Sequence, residues 1–293
     1  MISFVVLHYL VAKETIHCVD SILNNVKGEF NIVIVDNDSP NNSYTELSNY
    51  YHDNLLVTVL KNHVNGGYAS GINFGYQFAK KEYNPDFIIA MNNDMEIVQS
   101  DFCEKLFSIF NRTNFYVLGP DIYSTSALKH QNPEKSTIIT IADIDEEMLS
   151  IHKMQKQQLR LKIKSILRQS SFIESNYYKL KLRFKGNKKQ AQELTNITLH
   201  GSCYIFSKLF IQSREYALFP KTKFYCEAQI LDYECKRDGM KQVYSPEVFI
   251  YHHEDIATNA VEGGYAEKMN KKYKRVLESL NIFRNLILQD QGK

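Results

Sequence analysis

Glycine and proline together fill only 18 of 293 positions, which rules out a collagen-like or low-complexity chain, and a composition 44% hydrophobic and 23% charged rules out a wholly disordered one. No apolar run approaches the roughly 20 residues that a membrane-spanning helix needs. The opening MISFVVLHYLVAKE has neither a basic leader nor a small-residue cleavage site, so a cytoplasmic location is expected. The five cysteines, Cys18, Cys103, Cys203, Cys226 and Cys235, are odd in number and lack metal-site spacing, so reduced thiols are expected. Acidic residues are almost missing from one stretch. Residues 151–190 hold twelve Lys or Arg against the single acid Glu174, a local charge of +11, which leaves −9 for the rest of a chain whose net charge is +2.

What is present is an ordinary globular composition on a chain about twice the usual domain length, suited to one large α/β domain or a core with an added segment. Over the first 120 residues apolar β-rich runs alternate with helical patterns, as in βαβ units with a parallel sheet covered on both faces. Strands are expected at Ser3–Tyr9, Glu29–Asp36, near Leu56–Leu60 and at Asp86–Asp94, with helices through Thr15–Leu23, Gly71–Lys81 and Asp101–Phe110. The rhythm fades after Pro120 for some seventy residues. It resumes with a strand at Cys203–Phe206, a helix at Glu227–Arg237 ended by Gly239, one or two strands in Gln242–His253 and an amphipathic helix over Tyr265–Gln289.

Ligands of open α/β sheets lie beyond the carboxyl ends of the strands, which directs attention to Tyr9, Asp36 and the cluster Asn92, Asn93, Asp94. Asp36, in VDNDSP, could accept a hydrogen bond from a nucleobase or ribose, although Asp and Asn also favour turns. VNGGYASGINFG (Val64–Gly75) brings small residues with Asn65 and Asn73 to a helix mouth, where backbone can approach an anionic ligand. It is neither a spaced dinucleotide fingerprint nor a phosphate loop ending in GKS or GKT. Asp94 could hold a divalent cation with waters and neighbouring amides, or simply belong to a turn.

The segments FVVLHY, IVIVDNDS, NGGYASGINFG, IIAMNND, GSCYIF, FYCEAQILDYECKRDG and VYSPEVFIYHH, in that order, resemble the family-2 glycosyltransferases of the GT-A fold. The likeness is greatest to the bacterial branch that includes rhamnosyltransferases of surface-polysaccharide assembly. It covers about residues 2–120 and 200–255. The resemblance implies a mixed, mostly parallel central sheet with helices on both faces, to which the charge pattern adds a basic helical insertion. The expected division is a donor half at residues 1–125, the insertion at 126–199, an acceptor half at 200–262 and a C-terminal helix at 263–293. Tyr9 and Asp36 would border the nucleoside, and Asn65, Gly67, Tyr68, Asn73, Asn92, Asn93 and Gly201 would line the sugar-nucleotide site. Asp94 and His252 would bind Mn²⁺ or Mg²⁺, with Asn92 in place of the first acid of the family's DxD pattern.

A Glu-Asp pair opens the corresponding helix in the family, its second acid serving as base. Here the pair reads Glu227-Ala228. Glu227 is expected to take over, with Asp232 and the Glu254-Asp255 pair as other candidates. The implied reaction is an inverting transfer from a nucleotide-diphospho-sugar to a saccharide acceptor, expected to be lipid-linked, in O-antigen or capsule synthesis. Rhamnose from a dTDP donor is the first expectation; a UDP-hexose donor, or an impaired transferase-like scaffold, are the alternatives. A nucleotidyltransferase would carry a Gly-rich basic motif after the first strand, where this chain has LHYLVAKE.

Within the basic insertion, Leu149, Met154, Leu161 and Ile166 recur among Lys and Arg at spacings compatible with an amphipathic helix. Residues 151–190 could attach to the anionic inner face of the plasma membrane or form a solvated helical cover over the acceptor cleft. No recognised nucleic-acid-binding module accompanies the charge.

Overall fold

The computed structural model describes residues 1–134, 140–166, 189–254 and 265–292. Its first part alternates strand and helix: β1 (Ile2–His8), α1 (Ala12–Asn25), β2 (Phe30–Asp36), α2 (Ser43–Tyr50), β3 (Val57–Lys61), α3 (Tyr68–Tyr83) and β4 (Phe87–Asn92). There follow β5 (Met95–Glu96), α4 (Phe102–Thr113), β6 (Val117–Ser124), β7 (Lys129–His130), α5 (Ile141–Ile166), β8 (Leu194–Thr195), β9 (Cys203–Ser207), α6 (Lys208–Ser213), α7 (Glu227–Arg237), β10 (Gln242–His252) and α8 (Tyr265–Gln291). The strands form one mixed sheet in the order β3-β2-β1-β4-β9-β6-β10-β5, with β7 beside β6 and β8 beside β10.

Strand residues alternate between two apolar layers because successive side chains leave a strand on opposite faces. Phe4, Val6, Ile32, Ile34, Ile89 and Met91 pack with α1 and α4, while Val5, Val33, Val35, Ile88 and Ala90 pack with α3, α6 and α7. Both faces are thus dry, which explains why these strands read as continuous apolar runs. A third cluster joins Ile144 and Ile151 of α5 to Tyr273, Leu280, Phe283 and Ile287 of α8.

The expected strands and helices are present, with ends moved by a few residues. β4 stops at Asn92, so Asp94 lies in the turn before β5 and does not close the strand. β10 is one strand with an irregularity between Ser245 and Phe249, where Pro246 cannot donate to the ladder. β9 runs antiparallel to both β4 and β6, a reversal that hydrophobic pattern does not encode. The insertion helix also differs from its expected stripe: Ile144 and Ile151 face inward, whereas Leu149 is 54% and Met154 38% exposed. The side chains of Leu161 and Ile166, like Asp255 and residues 167–188, lie outside the described residues. All five cysteines are free thiols.

Candidate active site

Parallel register sets His8 beside Asp36 and Leu7 beside Asn92, so the carboxyl ends of β1, β2 and β4 meet at one edge. Asp36 is fully buried. Its Oδ2 accepts the Ser39 amide at 3.2 Å, while Oδ1 has no hydrogen-bond partner and stands 3.7 Å from His8 Nε2. Burial lowers the His8 imidazole to about 4 despite the opposing pull of Asp36, so the ring is neutral near pH 7. Its Nδ1 lies 2.6 Å from Thr15 Oγ1 and its Nε2 2.9 Å from Ser43 Oγ. The Ser43 hydroxyl donates to Asn41 Oδ1 at 2.7 Å, which leaves its oxygen to accept the His8 Nε2 proton and makes Thr15 the donor to Nδ1. Asn93 extends this network by donating to Thr15 Oγ1 at 2.9 Å. Over it, Leu10 and Asp38 adopt φ of 69° and 58°, and the Leu10 amide donates to Ser39 Oγ at 3.0 Å. A left-handed leucine costs on the order of 1 kcal/mol and persists only where the surroundings enforce it. Tyr9 is half-buried beside this turn.

The Gly-rich segment is shaped by Asn65, whose Oδ1 accepts the Gly67 amide at 3.1 Å. Gly67 has φ +94°, and a Cβ there would lie 2.0 Å from the Lys223 carbonyl oxygen. That closeness lets the Tyr68 amide donate to the same oxygen at 2.8 Å. The Tyr68 hydroxyl reaches Gly201 O at 2.5 Å, so the start of α3 is tied at two points to the second half of the chain. Asn73 acts likewise: it donates to Leu218 O at 2.7 Å and accepts the Ala217 and Leu218 amides, each at 2.9 Å. Its side-chain oxygen is therefore saturated, and one of its two N–H donors taken, by main chain.

In the turn after β4, Asp94 Oδ1 is buried without a hydrogen-bond partner, 3.2 Å from His252 Nε2 at the end of β10. His252 Nδ1 meets Gln131 Oε1 at 2.7 Å, which orients the ring. Gln131 also bonds Glu254, whose other oxygen accepts Ser124 at 2.7 Å and Ser126 at 3.1 Å. Burial alone would raise the Glu254 carboxyl, but these hydrogen bonds and nearby His252 hold it below the ordinary carboxylate value. His200, 6.1 Å from His252 between ring centres, is pushed down to about 4 by burial and by that neighbour. The main-chain N–H of Asn92 donates to Ser202 O at 3.0 Å, which brings Gly201 and His200 alongside.

Glu227 opens α7 after Tyr225 and Cys226, two consecutive residues at φ 71° and 65°. It is 8% exposed and its Oε1 has no partner. Burial raises it to about 7, against hydrogen bonds from backbone amides. The Tyr68 hydroxyl is raised well above its ordinary value by burial first and then by the Glu227, Cys203 and Asp94 charges. Of the other candidate acids, Asp232 accepts Thr198 and Lys236 on Oδ2, each at 2.8 Å, while its buried Oδ1 has no partner, and Glu254 holds Gln131 and two serines. His8, Thr15 and His200 were not singled out in the sequence, although His8 closes an apolar strand and His200 precedes GSCYIF, positions where a polar residue is worth inspecting.

Among known proteins, the model of glycosyl transferase family 2 matches residues 3–207. The low-salt glycan biosynthesis hexosyltransferase Agl10 of Haloferax volcanii is 25% identical over 128 residues, 43% of this chain and 38% of that protein. Among solved structures, S. aureus TarS 1-349 in complex with UDP-GlcNAc aligns with TM-score 0.54 at 13% identity over 91% of this chain and 60% of that one. A further S. aureus TarS structure aligns with TM-score 0.53 at 12% identity, over 93% of this chain and 42% of that one. The chain thus spans between 38% and 60% of the length of these relatives, and the structural likeness shows the fold, a GT-A-type mixed sheet flanked by helices. With the matched segment running from β1 through β9 across the whole strand edge described above, the chain belongs to glycosyl transferase family 2.

Proposed function

We propose that this protein transfers a hexose from a nucleotide-diphospho-sugar to a saccharide acceptor with inversion. The observation that carries this reading is the pair of buried carboxylate oxygens without hydrogen-bond partners, Asp94 Oδ1 and Glu227 Oε1, whose charges both act on the Tyr68 hydroxyl. Buried carboxylate oxygens left without hydrogen bonds are costly and mark places where a ligand completes the bonding. Asp94 and His252 suit a divalent cation, as family-2 enzymes typically use, and Mn²⁺ or Mg²⁺ fits the oxygen donor. When bound, that cation would offset charge on the departing diphosphate.

Glu227 is the base in this reading. The acceptor oxygen attacks the anomeric carbon, the carbon–oxygen bond to the diphosphate breaks, and the Glu227 carboxylate takes the hydroxyl proton. A value of about 7 suits proton abstraction near neutral pH. Tyr9 and Asp36 border the nucleoside, with Asp36 Oδ1 free for a base or ribose donor if the Leu10–Ser39 turn yields. Asn65, Gly67, Tyr68, Asn92 and Gly201 shape the sugar-diphosphate side; Asn73 and Asn93 support it through the contacts described above.

Rhamnose from a dTDP donor is our first assignment for the sugar, on the branch resemblance. A UDP-hexose is the second, favoured by the UDP-GlcNAc complex of TarS and the hexosyltransferase relative. The acceptor is taken to be lipid-linked, within surface-polysaccharide synthesis, with residues 151–190 holding the enzyme to an anionic membrane face. Among the described residues, no helix is long and apolar enough to cross a membrane. Co-sedimentation with anionic vesicles tests the attachment: binding unchanged after deletion of residues 153–189 refutes it.

The donor is tested by thermal shift across UDP, dTDP and GDP, with and without Mn²⁺, followed by donor turnover. A selective, metal-enhanced stabilisation that Asp94→Ala abolishes supports the reading. Inertness toward every sugar nucleotide refutes it and favours a binding scaffold.

A further inference from the structure

A second group of metal-ligating side chains lies outside the site just described. His17 on α1, Glu96 on β5 and His253 directly after β10 bring their donor atoms within 4.8 Å of one another. His253 Nε2 is 2.9 Å from Glu96 Oε2, and His17 Nε2 is 3.8 Å from Glu96 Oε1. One imidazole therefore faces each oxygen of a single carboxylate.

The ring of His253 is held in this aim by its other nitrogen, 3.0 Å from Thr125 Oγ1. That is the outer-shell arrangement that commits Nε2 to a ligand. His17 makes no hydrogen bond among the described residues, and 3.8 Å is too long for one to Glu96. It is near the spacing of ligands around a shared ion: two ligands bound tetrahedrally at about 2.0–2.1 Å from zinc stand roughly 3.3 Å apart. The group is partly exposed, with side-chain accessibilities of 53%, 26% and 27% for His17, Glu96 and His253, which leaves a path for the ion and room for water as a fourth ligand.

We propose that His17, Glu96 and His253 form a three-ligand site for a divalent transition metal of zinc type, separate from Asp94 and His252. Two imidazoles and one carboxylate select zinc or cobalt over Mg²⁺, which favours all-oxygen shells. The ion would pin α1 to the ends of β5 and β10. The His253 amide donates to Asp94 O at 2.9 Å, so the pin would also steady the turn that carries Asp94. The inference does not depend on which sugar, if any, the protein transfers.

The test uses the full chain stripped with a chelator and titrated with CoCl₂, reading visible ligand-field absorption, and with ZnCl₂, reading heat and melting temperature. Expected are a saturable equivalent that depends on His17, with the intense visible bands of a low-coordinate cobalt site, a zinc-dependent rise in melting temperature, and no MgCl₂ response that depends on His17. His17→Ala, at an exposed position that does not contribute to the core, should weaken cobalt binding by about tenfold or more, since even outer-shell partners are worth 10- to 100-fold. His253→Ala should do the same, while Asp94→Ala leaves the cobalt spectrum intact. The proposal is overturned if the stripped protein shows no saturable cobalt binding, if His17→Ala binds like the wild type, or if Asp94→Ala abolishes the bands.

Discussion

His252 Nε2 stands 3.2 Å from Asp94 Oδ1, an oxygen that is buried and accepts no hydrogen bond. The two residues are 158 positions apart, and the pairing of β10 with β5, His252 opposite Met95, is what brings them together. A carboxylate oxygen so placed is either a liability or half of a ligand site.

Asp94→Asn keeps the shape of the side chain and removes its charge. It should abolish the Mn²⁺-dependent part of the nucleotide-diphosphate thermal shift and lower turnover by about 100-fold or more, the scale of a lost Lewis acid. His252→Ala should be milder, because the carboxylate remains. Unchanged Mn²⁺ dependence in Asp94→Asn would remove that residue from the metal site.

Glu227→Gln should reduce turnover by about 10²- to 10⁴-fold. In the wild type, rate should climb through pH of about 7 as the carboxyl ionises. Stability should move the other way. The folded value of about 7 lies above the ordinary 4.5, so the folded chain binds more protons between them and loses stability as pH rises through that window. The loss is on the order of 3 kcal/mol above pH 7. Melting curves of Glu227→Gln and wild type should nearly coincide at pH 5, with the variant higher at pH 8. A wild-type rate flat from pH 5 to 8 would exclude Glu227 as base.

Gly67→Ala meets both a positive φ and a backbone oxygen 2.0 Å from the new Cβ. It should cost about 1–3 kcal/mol for the conformation alone and release Tyr68 from Lys223. Tyr68→Phe should cost only about 1 kcal/mol, the worth of its hydrogen bond to Gly201. Equilibrium denaturation distinguishes the two; equal losses would mean the Lys223 contact is slack.

Asn73→Ala leaves three main-chain groups at 217–218 without partners and should lower stability by about 2–4 kcal/mol, with the donor KM of the folded protein little changed. A raised donor KM without a lowered melting temperature would return Asn73 to the ligand.

How much of this was legible beforehand depended on the distance over which each feature is encoded. β1, β2, β4 and α3 are local: an apolar run, a small-residue helix mouth and a following amide or acid suffice to place them. The glycines of NGGYASGINFG were legible as close approach but not as to what approaches. Gly71 and Gly75 meet Leu7, Val5 and Val35, and Gly67 meets Lys223. The stripe on α5 misled because Leu149 is apolar yet faces out, while the buried face is set by α8, over a hundred residues downstream, whose Tyr273 hydroxyl reaches the sulfur of the 38% exposed Met154 at 3.9 Å.

By itself the sequence determined the alternating α/β framework, the family pattern and the residue types at each strand end, since these follow from periodicity and neighbouring residues. Tertiary structure alone decided the direction of β9, the commitment of Asn73 and of Asp232 Oδ2 to structural bonds, and the isolation of Asp94 Oδ1 and Glu227 Oε1 as buried oxygens without hydrogen-bond partners. The physical reason is that hydrogen-bond satisfaction and desolvation are properties of surroundings, and here the surroundings are assembled from segments that only the sheet brings into contact.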